Sequence, residues 1–80
     1  MSGEEKKLKE IISKVLLLDE TKIYDGISRN DVEAWDSLTH LILISEIETV
    51  FQISFSDEDV IEINTIGDLK AKMRKHGIQI

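Results

Sequence analysis

Asp36-Ser37-Leu38-Thr39-His40-Leu41-Ile42-Leu43-Ile44-Ser45-Glu46-Ile47-Glu48-Thr49-Val50-Phe51 reads as one helix, and the rest of the chain is arranged around it. Asp36 suits the N-cap, because a short carboxylate accepts hydrogen bonds from the N–H groups that open a helix and have no partner inside it. The helix is expected over about residues 37–51. At about 100° per residue its apolar positions fall into two sets. Leu43, Ile44, Ile47, Val50 and Phe51 share one side, with His40 among them, while Leu38, Leu41 and Ile42 point largely the other way, near Ser45. If the first side faces a core, the second leaves large aliphatics in solvent at the N-terminal end. Such a patch marks a contact surface, unless the preceding loop covers it.

Upstream, Leu8, Ile11, Ile12, Val15 and Leu16 follow the spacing of a single apolar stripe, so a first helix is expected over about residues 4–18. A long connection follows, from Asp19 to Ala34. Ile23, Tyr24, Ile27 and Val32 are spaced to pin it to the helices, and Ser28 with Asp31 resembles a capping pair for a single turn near 29–34. Downstream, Ser56 caps a short third helix at about 57–62, whose first-turn acids Asp57, Glu58 and Asp59 complement the helix dipole. Thr65 and Asp68 form a capping box for a last helix at about 66–76. Ile66, Leu69 and Met73 face inward there, Lys70, Lys72, Arg74 and Lys75 load its C-terminal half, and Gly77 is placed to end it. The expectation is an all-α bundle of four helices, three longer and one short, with a long loop between the first two and a single domain over residues 1–80.

Composition agrees. Pro is absent and only four Gly occur among 80 residues, which favours helices. There is no Cys, so neither a disulfide nor a thiolate metal site reinforces the chain, and the 41% of hydrophobic residues must build the core. No run is long enough to span a membrane, and the charged segment Glu4-Glu5-Lys6-Lys7 is unlike a secretory signal, so the expected compartment is the cytoplasm. The net charge of −6 is unevenly placed. Residues 30–69 hold ten acids and no Lys or Arg. Nucleic-acid binding needs cations to displace counterions, so it is excluded for this stretch. Basic patches on partner proteins suit it better, although an acidic surface also serves solubility alone.

No enzyme motif is present. His40 and His76 are the only histidines, and neither lies in a G-x-S-x-G elbow or an H-E-x-x-H pair. His40 is expected to be packed with a backbone or loop partner. Ser37 lies three residues before it, without an evident orienting acid or oxyanion hole. Asp57-Glu58-Asp59 lacks the glycine and glutamate of a calcium loop. No catalytic or metal-binding residue is assigned. What remains is Trp35-Asp36-Ser37-Leu38: a serine opening a helix, after a long loop, beside an apolar patch, in an all-acidic stretch.

Asp36-Ser37-Leu38 and the helix after it resemble the attachment signature of acyl carrier proteins. The wider run from Val32 to Leu41 is similar to discrete carriers with a W-D-S-L-x-H form of the motif, and the likeness extends over nearly the whole chain. The resemblance implies a carrier rather than an enzyme. A phosphopantetheinyl transferase would move 4′-phosphopantetheine from coenzyme A to Ser37. The arm would then hold acyl groups as thioesters for partner enzymes of fatty-acid, lipid or polyketide-type biosynthesis. Asp36 and Leu38 match the residues flanking the modified serine, and Leu38, Leu41, Ile42, Ser45, Glu46 and Glu48 fall on the implied partner surface of a monomer. Trp35 replaces the small residue usual in fatty-acid members, and this helix is less acidic than theirs, which points to a specialised pathway with a more apolar docking surface. Two other readings stay open: an aminoacyl or peptidyl carrier using the same serine, and an unmodified helical adaptor binding through Leu38, Leu41 and Ile42.

Overall fold

Three of the four helices close with the same backbone device, and this device sets where they stop. The structure, a computed structural model, describes residues 3–80. Helix α1 spans Gly3–Leu16, α2 Ser37–Phe51, α3 Asp57–Glu62 and α4 Ile66–Lys75, with single 3-10 turns at Glu20–Lys22 and Arg29–Asp31 in the long loop. The regular elements of the described residues are all helical, apart from one isolated bridge between Ser28 and Thr65. After α1, α2 and α4 the backbone turns left-handed at Leu17 (φ 57°), Gln52 (φ 55°) and Gly77 (φ 88°). The next N–H then returns to the helix: Leu18 to Ser13 O, Ile53 to Glu48 O and Ile78 to Met73 O. Each bond satisfies a carbonyl that the helix end leaves open. This turn ends α1 at Leu16, two residues before the expected position, and leaves the Leu17 side chain in solvent.

The helix starts follow the sequence. Asp36 accepts from Thr39 N–H at 2.8 Å. Ser56 and Asp59 cap each other reciprocally, as do Thr65 and Asp68. The core draws Leu8, Ile12 and Leu16 from α1 and Leu43 and Ile47 from α2, together with Ile63, Ile66, Leu69 and Met73. Two apolar expectations fail. Tyr24 does not pin the loop: its ring lies in solvent against Gly26, while Ile23, Ile27 and Val32 are buried. Val50 is exposed at the edge of α2, beside Lys7, Glu10, Ile11 and Lys14 of α1. The loop is also stitched to the start of α4, where Ile66 N–H donates to Ile27 O and Gly67 N–H to Asp25 O. A Cβ at residue 67 would stand 3.2 Å from that Asp25 oxygen, a tight contact that would press the loop backbone away by a few tenths of an ångström.

Two buried polar groups hold the later helices. Trp35 is buried, and its Nε1–H donates to His40 Nδ1 at 2.9 Å; His40 Nε2–H in turn donates to Val60 O at 2.9 Å. The neutral imidazole is thus fully used, and the chain of bonds joins the loop, α2 and α3. Trp35→Phe leaves Nδ1 buried without a donor, so chemical denaturation should find the variant about 1–3 kcal/mol less stable.

Asp59 is the second. Only 2% exposed, it meets Lys75 at 2.9 Å, His76 at 3.2 Å and Lys72 at 3.5 Å, all from α4 or its end. The Lys75 hydrogen bond is the main cause that holds its carboxyl far below the ordinary 3.8; burial opposes this, and His76 and Ser56 add to it. A depressed folded-state pKa gives stability that is complete above the unfolded value and lost as pH falls. Thermal unfolding of Asp59→Asn should therefore show a lower Tm than wild type at pH 7. The gap should narrow as pH drops below about 4. Lys70, one of the cations expected in the C-terminal half of α4, is buried between Asp25 (2.8 Å) and Glu5 (3.3 Å). Burial opposes its charge, yet these carboxylates keep its ammonium pKa above the usual lysine value.

Candidate functional site

The loop delivers the chain to α2 through a tight turn. Trp35 N–H donates to Val32 O and Asp36 N–H to Ala34 O, which puts Asp36 in extended backbone ready to cap. The Thr39 N–H holds the Asp36 carboxyl below its usual value, so the cap is ionised at neutral pH. Ser37 is the first residue of α2 and is exposed. Among the described residues its hydroxyl has no hydrogen-bond partner. His40, one turn on, faces inward with both ring nitrogens engaged, so it does not serve as a base for Ser37.

The face beyond Ser37 is apolar. Leu38, Leu41 and Ile42 are 69%, 58% and 46% exposed, so the loop does not cover them. Leu41, Ile42, Ser45, Glu46 and Thr49 line a shallow hollow of about 410 Å³. The site residues expected from sequence along α2 are therefore brought together on one side, with one exception. The Glu48 carboxylate turns back to accept Phe55 N–H at 2.8 Å. Glu46 is paired with Lys14 of α1 at 3.2 Å. His40 is packed on a loop and a backbone partner as expected, the sequence leaving only Trp35 and Val60 unnamed, whereas the Asp59 cluster was missed. Ser56-x-x-Asp59 signalled the cap, but no periodicity signals that cations of α4 close over Asp59.

A family model described as phosphopantetheine attachment site matches residues 6–72. The acyl carrier protein of Buchnera aphidicola subsp. Schizaphis graminum is 44% identical over 66 residues, covering 82% of this chain and 84% of that protein. This chain belongs to the acyl carrier protein family. The acyl carrier protein of Thermotoga maritima is 32% identical over 69 residues, covering 86% and 85% of the two chains. Among solved structures, a Mycobacterium tuberculosis chain assigned as an acyl carrier protein superposes with a TM-score of 0.79 at 30% identity, covering 89% of this chain and 95% of that one. The holo acyl carrier protein of Geobacter metallireducens gives 0.72 at 30%, covering 94% and 92%.

The start of α2 in this carrier fits 4′-phosphopantetheine. An acceptor hydroxyl is needed that is reachable and uncommitted, and the phosphodiester formed is anionic. The N-terminal end of a helix favours that charge. When bound, the arm supplies a thiol that holds acyl groups as thioesters. No helix among the described residues is long and apolar enough to cross a membrane.

Proposed function

We propose that Ser37 is the attachment point of the arm, and that Asp36 and Leu38 present it to the modifying transferase. The observation that carries this reading is the exposed Ser37 hydroxyl at the mouth of α2, without a partner among the described residues. A group carrier needs a rigid base, a flexible tether and one accessible hydroxyl, and α2 with its buried side supplies the base. Tethering raises the local concentration of cargo at each docked enzyme. The chain itself catalyses nothing; the engagement of both His40 nitrogens supports this, since it leaves Ser37 without a general base. The partner surface comprises Leu38, Leu41, Ile42, Ser45 and Glu46, without the Glu48 carboxylate that turns back to Phe55, and its apolar content supports a specialised pathway rather than general fatty-acid synthesis. The carrier works as a single domain over residues 1–80, monomeric and in the cytoplasm.

The test is direct. The pure chain is incubated with coenzyme A, magnesium and a broad-specificity phosphopantetheinyl transferase, then weighed intact. The expected result is the mass of one added phosphopantetheine, mapped by peptide fragmentation to Ser37. Label on any other residue, or none at all, refutes the assignment.

A further inference from the structure

Both carboxylates of α2 are already used inside the molecule. Glu46 pairs with Lys14, and Glu48 accepts Phe55 N–H. Thr49 Oγ1–H likewise donates to Ser45 O. The Leu41–Ile42 hollow adjoins, at Glu46, a second hollow of about 250 Å³ lined by Lys7, Glu10, Ile11, Lys14, Glu46 and Val50. Two lysines and two glutamates balance there. Among the described residues, the exposed acids without an ion-pair partner include Glu33 and Asp36 on the loop, Asp57 and Glu58 on α3, and Glu10 on α1 at the edge of this hollow.

We infer that the partner that docks along α2 meets it with an apolar socket rather than a basic patch. The inference rests on the carrier reading above and names the partner's chemistry. A cationic surface laid on this flank would confront Lys7 and Lys14, with Glu46 already beside Lys14 and Glu48 turned onto Phe55 N–H. An apolar socket loses nothing there and covers Leu38, Leu41 and Ile42. Long-range attraction arises from the acids on the loop, α3 and α1, and the docked contact is held by aliphatic side chains.

The test uses the full chain and two phosphopantetheinyl transferases of known structure, one with an apolar carrier groove and one with a basic groove. Loading is followed by intact mass. With the apolar-groove enzyme, Leu41→Ser and Ile42→Ser should each raise KM by about tenfold or more, as expected for anchor residues. Glu46→Gln and Glu48→Gln should change it by less than about twofold, as expected for exposed or internally bonded charges. That ranking should hold at about 0.05 M and about 0.5 M salt, since screening weakens only charge contacts. Wild type should also show the lower KM with the apolar-groove enzyme. A Tm within a few degrees of wild type, as expected for exposed positions, confirms that each variant is folded. Preference for the basic groove, or a larger loss in Glu46→Gln than in Leu41→Ser, overturns the inference while leaving the carrier reading intact. Failure of both enzymes to load wild type removes the carrier reading and the inference with it.

Discussion

Ser37→Ala takes up no phosphopantetheine and unfolds at the wild-type temperature. The mass gain seen with wild type should vanish, not diminish, because a single oxygen is lost and, among the described residues, no second serine opens a helix. Ser45 lies two turns further along α2, where the helix no longer offers an open N-terminal end. Ser28 has its hydroxyl committed to Asp31, and the Ser56 oxygen accepts from Asp59 N–H. Stability should be unaffected because Ser37 is exposed and its hydroxyl bonds nothing within the described chain, so the change falls within about 0.5 kcal/mol. Circular dichroism melts beside the loading assay check both halves. Residual loading of the variant would relocate the site.

Two leucines separated by one residue should behave in opposite ways. Leu43 has no solvent exposure, whereas Leu41 is more than half exposed. Leu43→Ala opens a cavity among the α1 and α4 side chains that share its core cluster, and urea unfolding should show a loss of about 2–5 kcal/mol. For a domain of this size, whose whole stability is about 4–12 kcal/mol, that leaves a marginal fold. Leu41→Ala should alter stability by less than about 0.5 kcal/mol, and its effect should fall on docking instead. The pair separates the two sides of α2 with one chemical change. Equal losses at the two positions would mean that α2 is rotated from the orientation described above.

The sequence alone determined the helix starts, because a cap is local chemistry. Asp36, Ser56 and Thr65 each accept from an N–H three residues ahead, and the Asp59 and Asp68 boxes close within the same turn. It also determined the two-sidedness of α2 and the serine at its mouth, since helical periodicity maps residue number onto direction. Tertiary structure decided what depends on distant groups. Whether Val50 or Tyr24 is covered depends on the element that happens to lie beside it, which no spacing within its own segment records. The end of α1 at Leu16 follows from a left-handed turn at Leu17, a residue that is not glycine. The environments of Asp59, Lys70 and Glu46 were set in the same way. Each carries a charge whose partner is at least 13 residues away, and only folding brings charges so far apart in the chain to within 4 Å.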